Sequence, residues 1–296
     1  MGAKLRVVRR RIRAVQSTMK ITRAMELIAA SRILKAQQRV EAARPYAIQL
    51  TRAMEDVARH TGSLAHPLLE EREDPVRVGV LVVTSDRGLA GSYNANVLRR
   101  AEGVIRGVRT RRLEPVIYST GKKGQSYFRF RGVPLQASWQ GFSEVPPYEM
   151  AQEIGRDLIR DFGDHTIDEL HCAYTDFRSA FTLRATDKRF LPIAPEEVSG
   201  ERGVPHAEYL FEPGPAQILD ALLPQYLITK VYAALLESAA SENAARRRAM
   251  KAATENAEEL IKVLTRQANR ARQDEITTEI MDIVGGSEGL TKVSGD

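Results

Sequence analysis

From Leu5 onward, side chains that are apolar or small, apart from Glu26, return at alternating spacings of three and four. The series runs Leu5, Val8, Ile12, Val15, Met19, Thr22, Glu26, Ala29, Ile33, Ala36, Val40 and Ala43, with neither Gly nor Pro between Ala3 and Arg44. That is a heptad sustained over more than five repeats, and it predicts a coiled-coil helix roughly 60 Å long at about 1.5 Å per residue. Pro45 marks a kink, after which helix resumes toward Gly62. A second stripe, Ile21, Met25 and Ile28, is offset by about a quarter turn inside KITRAMELIAA. A helix with one partner needs one stripe. The second is either a stutter that rotates the seam or a face offered to something outside the chain.

At Val76 the period changes. VRVGVLVVT (76–84) is a short β-rich run of the kind buried in parallel sheets. A Gly-rich turn and the helical pattern NANVLRRAEGVIRGV (94–108) follow it. Next come a strand PVIYST (115–120), a short helix opening in GKKGQSYFRFR, a third strand VPLQAS (133–138) and a helix EMAQEIGRDLIRDF (149–162). IDELHCAYTDF (167–177) and AFTLRATDKRFLPI (180–193) read as strands. Strands alternating with helices imply an α/β domain with a mostly parallel sheet and an antiparallel edge. EEVSGERGVPH (196–206) reads as a linker. From Gln225 to Val284 there is again no Gly or Pro. Met250, Ala253, Ala257, Leu260, Leu264, Ala268 and Ala271 form one stripe, Ile276, Ile280, Ile283 and Val284 extend an apolar face, and Gly285 and Gly286 stop the helix. Two long helices around one globular insert pack most economically as an antiparallel coiled coil. The division is 1–62 for the first helix, 75–206 for an α/β domain and 207–296 for the last helix.

Charge sharpens this picture. Residues 1–44 hold twelve basic side chains against two acids, Glu26 and Glu41. Such a face meets solvent, nucleic acid or an acidic protein. An Arg-rich amphipathic start also resembles an organelle transit peptide, but a transit peptide is short and this pattern continues past residue 40. A nucleic-acid binder would need aromatics on the basic face, and residues 1–44 contain none. The single cysteine, Cys172, excludes an internal disulfide and fits a reducing compartment. No uninterrupted apolar run approaches 18 residues and no secretory h-region opens the chain, so neither a membrane span nor a secretory signal is expected.

The chemistry-bearing patterns are weak. TSDRGLAGSYN (84–94) sits where α/β folds bind ligands, but it is not G-x-G-x-x-G and lacks a Walker lysine. TGKKGQS (120–126) places Gly121 and Gly124 too close for a P-loop. In both, tight turns are the simpler role for the glycines. The five histidines show no metal spacing, and no catalytic triad assembles. Arg246, Arg247, Arg248 and Lys251 form a basic cluster, whereas Asp274, Glu275, Glu279 and Asp282 make the far end of the same helix acidic against its macrodipole. A nucleotide-dependent enzyme with helical arms would lack its phosphate-binding fingerprint.

Four blocks carry a family resemblance: MKITRAMELIAASRILKAQ (19–37) with ARPYA (43–47), VVTSDRGLAGSYN (82–94) with YLFEP (209–213), ENAARRRAMKAATENA (242–257), and ARQDEITTEIMDIVGG (271–286). Together the chain resembles the gamma subunits of F-type ATP synthases, over essentially its whole length. Ala90, Ser92 and Ser287 depart from the commonest residues of that family in small ways, and the cysteine-pair insertion of chloroplast members is absent. The resemblance implies an antiparallel coiled coil with an inserted Rossmann-like domain, turning inside an alpha3–beta3 hexamer. It implies a foot on the epsilon subunit and the c-ring, one copy per complex, and attachment to the cytoplasmic side of a cell membrane. It implies no active site, cofactor or metal in this chain. Carried over residue by residue, Met25, Arg246, Arg272, Gln273, Thr277 and Glu279 match beta-subunit contact positions, and Tyr209 and Glu212 match the foot.

Overall fold

A computed structural model describes residues 3–60, 66–177, 179, 182–194, 197 and 214–293. In chain order the elements are α1 (Ala3–His60), β1 (Arg77–Val83), α2 (Tyr93–Thr110), β2 (Glu114–Thr120), α3 (Lys122–Phe130), β3 (Ala137–Trp139), α4 (Tyr148–Gly163), β4 (Glu169–Phe177), β5 (Leu183–Leu191) and α5 (Pro215–Val293). They divide into two compact units, residues 1–28 with 247–296 and residues 29–246.

In the first unit, α1 and α5 form a two-helix coil. The hydroxyls of Thr22 and Thr254 meet at 2.7 Å in its buried seam. Counting outward from this pair along antiparallel helices sets Leu5 against Ala271, Val8 against Ala268, Ile12 against Leu264, Val15 against Ile261 and Met19 against Ala257. Larger side chains of α1 thus oppose alanine in several layers, which lets the helix axes approach closely. All seven α1 positions of the expected stripe up to Glu26 are buried or half-buried. On α5 the stripe differs from expectation. Leu260 is 46% exposed and Ile261 takes the seam, with Thr254 buried beside Ala253. The strict heptad 250–254–257–261–264–268–271 explains the change, because Leu260 falls one residue, or about 100°, off that line.

The second unit is a three-layer α/β/α domain. Its five-stranded sheet has the order β3-β2-β1-β4-β5. The first four strands run parallel and β5 is antiparallel to β4. β1 lies at the centre because Val78, Val80, Leu81 and Val82 suit burial on both faces. One face is covered by α4 and by the segments of α1 and α5 in this unit, through residues such as Met54, Leu158, Leu223 and Leu227. The other is covered by α2 and α3 through Val97, Ala101, Ile105 and Phe128. Gly155 of α4 lets α5 pass closely, since a Cβ there would lie 2.6 Å from Ile228 Cγ1.

Some local expectations change and others hold. The third strand is Ala137–Trp139, not 133–138. Helix α1 does resume after Pro45 and runs to His60, as expected. Helix α5 begins at Pro215 and runs through Pro224 and then Gly285 and Gly286 to Val293. A glycine inside a helix costs only about 1 kcal/mol, so two of them do not force a stop. Finally, one stretch of α5 is apolar and long enough by composition to cross a membrane, yet its Leu223, Leu227, Ile228 and Val231 are buried in the α/β core.

Candidate functional site

In a doubly wound sheet, ligands enter at the carboxyl ends of the strands where the order reverses, here between β1 and β4. The chain itself fills that place. Ser238 and Ser241 of α5 flank the backbone of Thr175, the Ser241 hydroxyl donating to its carbonyl at 3.4 Å. Tyr93, Ala90 and Ala245 pack together beside them. The turn after β1 is equally engaged. Asp86 accepts from the backbone N–H groups of Gly141 and Ser143 at 2.8 and 3.0 Å, and from Lys122 N–H at 3.2 Å at the start of α3. The N-terminus of α3 therefore already holds a carboxylate of the protein. Gly121 (φ 84°) has the backbone of Thr84 where a side chain would stand, and Gly124 N–H donates to Thr84 Oγ1 at 2.8 Å. The glycines of TGKKGQS serve close packing and a left-handed turn.

Where α1 and α5 leave the α/β unit, an ionic cluster around the buried Arg246 ties four segments together. Glu144, from the loop before α4, pairs with Arg32 of α1, with Arg87 at 3.7 Å and with Arg246 of α5 at 3.4 Å. Arg246 also meets Glu242 one turn back at 2.5 Å and the Gly88 carbonyl at 3.4 Å. Burial raises the Glu242 carboxyl above its usual range, while Arg246 opposes the shift. Arg246, expected on a partner-facing surface, is thus only 4% exposed. Its charge is spent inside the chain, while the next two residues, Arg247 and Arg248, are exposed. Glu144 escaped sequence reasoning because its partners lie more than fifty residues away in either direction. The Glu242–Arg246 spacing of four was the one visible signal.

Just before Glu242 along α5, Glu237 lies against Asp176 of β4. Burial and the neighbouring Asp176 of β4 raise the Glu237 carboxyl from 4.5 to about 7, against the pull of Lys188 on β5 and the Phe177 N–H. Glu237 Oε2 has no hydrogen-bond partner among the described residues. Cys172 is fully buried and burial pushes its thiol up, so it is no nucleophile. Among the described residues no cluster of His, Cys, Asp and Glu suits a metal ion.

The outward faces of the coil are open. Ile21 and Ile28 are 58% and 52% exposed, and Met25 is half-buried beside the seam. Of the α5 candidates, Arg272, Gln273, Thr277 and Glu279 are all exposed, and Thr277 donates only to its own helix, at Gln273 O, 2.9 Å. They lie beyond Ala271, the seam residue that counting sets opposite Leu5. Past this point Ile276, Ile280, Met281, Ile283 and Val284 are 46–71% exposed. The structure therefore groups Arg272, Gln273, Thr277 and Glu279 on one projecting helix end, with Met25 elsewhere on the coil. Tyr209 and Glu212 lie outside the described residues.

A family profile described as ATP synthase matches residues 4–290. The chain is 54% identical to the ATP synthase gamma chain of Acidothermus cellulolyticus, with 100% of both chains covered. It is 52% identical to the one from Mycolicibacterium smegmatis, over 98% of this chain and 99% of that one. Among solved structures it resembles a chain of the Tetrahymena thermophila mitochondrial ATP synthase central stalk and c-ring, at TM-score 0.59 and 24% identity over 79% of this chain and 99% of that one. A chain of the Euglena gracilis mitochondrial ATP synthase gives TM-score 0.67 at 16% identity over 100% of this chain and 97% of that one, and at these identities the likeness speaks for the fold. With near-complete coverage at more than half identity, the chain belongs to the ATP synthase gamma chain family.

Proposed function

We propose that the chain is the central-stalk rotor of a proton-translocating F-type ATP synthase. One copy turns inside an alpha3–beta3 hexamer, with its α/β unit toward the epsilon subunit and the c-ring on the cytoplasmic side of the cell membrane. The three-part division 1–62, 75–206 and 207–296 serves this role as first helix, α/β insert and last helix. The chain carries no active site, cofactor or metal of its own; it transmits torque, so that proton flow drives ATP synthesis or ATP hydrolysis drives pumping, and it regulates both.

The observation that carries this reading is a coil closed along a narrow seam while its outer faces stay charged or thinly apolar. An asymmetric shaft meets three beta subunits differently at any moment. It biases their conformations by the difference in its contact free energy with each state. To turn, it must adhere to none of them, and exposed charge pairs of about 0–1 kcal/mol each meet that condition. Met25 is the half-buried, pliable thioether at a sliding contact. Arg272, Gln273, Thr277 and Glu279 contact beta from the projecting end of α5, and Tyr209 and Glu212 belong to the foot. Arg246 acts in this reading from within, by holding α5 to Glu144.

The test is the Met25→Lys variant in the assembled complex, where an added charge facing acidic beta residues should hold the shaft. ATP-driven proton pumping per ATP hydrolysed should fall. An unchanged ratio would sink the assignment of Met25, and failure of the chain to co-purify with a nucleotide-binding hexamer would sink the rotor reading itself.

A further inference from the structure

At the amino ends of the strands, on the sheet face opposite α1, α4 and α5, helices α2 and α3 border a cleft of about 660 Å³. Its floor is apolar, formed by Ile105 of α2, Ile117 of β2, Phe128 of α3 and Val133. Its rim carries the guanidinium groups of Arg106, Arg109 and Arg131 against the carboxylates of Glu102 and Glu114. Arg131 is engaged: it pairs with Glu102 at 2.5 Å and lies over the Tyr127 ring at 4.6 Å. Arg106 and Arg109 have no carboxylate within ion-pairing distance among the described residues, and the nearby Arg112 and Arg129 are also exposed and without one. Beside Arg131 in the chain, Phe130 is 91% exposed, the most exposed of the large apolar side chains among the described residues. None of these groups is used in the shaft or in the ionic cluster.

An apolar trough whose rim carries two unpaired arginines and more positive than negative charge has the composition of a protein docking site. The floor is recessed, so it suits an inserted side chain better than a planar lipid surface. The excess positive charge selects a partner with carboxylates, because like charges brought to this rim would repel. We propose that the α2–α3 cleft is a docking groove for an acidic amphipathic segment of a partner polypeptide. An apolar side chain of that segment seats on Ile105, Ile117, Phe128 and Val133, and its carboxylates face Arg106 and Arg109. The groove is separate from the shaft faces, and the inference needs only a complex that contains this chain.

The test places a photo-reactive side chain in the cleft lining, as Pro134→p-benzoylphenylalanine, in the assembled complex. After irradiation the cross-linked peptides are sequenced by mass spectrometry. The expected product joins this site to one segment of another chain with net negative charge, and adding Arg106→Glu with Arg109→Glu lowers its yield at least tenfold. A cross-link to a neutral or basic segment, one unaffected by the charge reversal, one to lipid, or none at all in the intact complex overturns the proposal. Vesicles of phosphatidylglycerol and of phosphatidylcholine, tested against the purified chain, give the second measurement. Binding to the former alone that is lost with Arg106→Glu and Arg109→Glu assigns the patch to a membrane surface and likewise overturns it. If no complex containing the chain can be isolated, the rotor reading fails; an intact complex without the cross-link fails only this one.

Discussion

Replacing Glu237 by Gln should stabilise the protein above neutrality and change little in mild acid. Glu237 faces Asp176 from the adjacent strand, and only Lys188 and the Phe177 N–H favour its charged form. With the carboxyl raised from 4.5 to about 7, ionising it in the folded protein is harder than in the unfolded chain. The stability contributed by the neutral carboxyl is fully present below about pH 4.5 and is lost as the pH rises through about 7. At about 1.4 kcal/mol per pH unit, the ionised form costs up to about 3 kcal/mol at pH 8. Gln keeps the shape and removes the charge. Urea unfolding of the purified full-length chain at pH 5 and pH 8, at one ionic strength, measures the difference. The midpoint of Glu237→Gln should exceed that of the parent at pH 8 and nearly match it at pH 5. Asp176→Asn should shrink the parent's own pH dependence. Equal effects of Glu237→Gln at the two pH values, or a loss of stability at pH 8, would refute the reasoning.

Other perturbations probe packing and polar contacts, with denaturant midpoints as the common measurement. Gly103→Ala and Gly107→Ala, in the interior of α2 with nothing within 4 Å of an added Cβ, should each stabilise by about 0.5–1 kcal/mol. Gly155→Ala should instead destabilise by about 1–3 kcal/mol, because the new methyl meets Ile228 Cγ1 at 2.6 Å. Thr22→Val and Thr254→Val should each cost about 1 kcal/mol, and the double variant should cost less than the sum, since each single change leaves one buried seam hydroxyl without its cross-helix partner. Glu144→Gln should cost about 1–3 kcal/mol by weakening its pairs with Arg32 and Arg246, whereas Arg87→Ala, whose side chain is 71% exposed, should stay within about 0.5 kcal/mol.

What could be read in advance followed the physical range of each interaction. The α1 stripe is a local pattern repeated many times, so Leu5 through Ala43 declared their burial without any partner in view. On α5 the same logic misplaced one position, because Leu260 and Ile261 are adjacent and both apolar, and only register against α1 chooses between them. The mostly parallel sheet with an antiparallel edge and its alternating helices were legible as a class, while the strand order and the length of β3 were not: the three residues of β3 are held by pairing with Tyr118, Ser119 and Thr120 rather than by their own pattern. Arg246 shows the limit most clearly. In sequence it is the first of three arginines on a helix, and a solvated or partner-facing role suits it. Glu144, 102 positions away, takes it inside the protein. Charge invites an outward reading, and nothing local corrects it.

The seam pair Thr22–Thr254 spans 232 positions of chain. At a synthesis rate of about 5–20 residues per second, roughly 10–50 s pass between the emergence of one hydroxyl and the other. Through that interval the apolar stripe of α1 has been made but its mate has not, and Leu219, Leu223 and Leu227 of α5, which close one face of the sheet, are also among the last third to appear. The nascent chain therefore carries an exposed heptad able to pair with other chains while translation proceeds. A protein built by closing its two ends on each other leaves a window for aggregation that a sequentially folding domain of the same size avoids, and its yield in the cell depends on what shelters the first helix until the last one arrives.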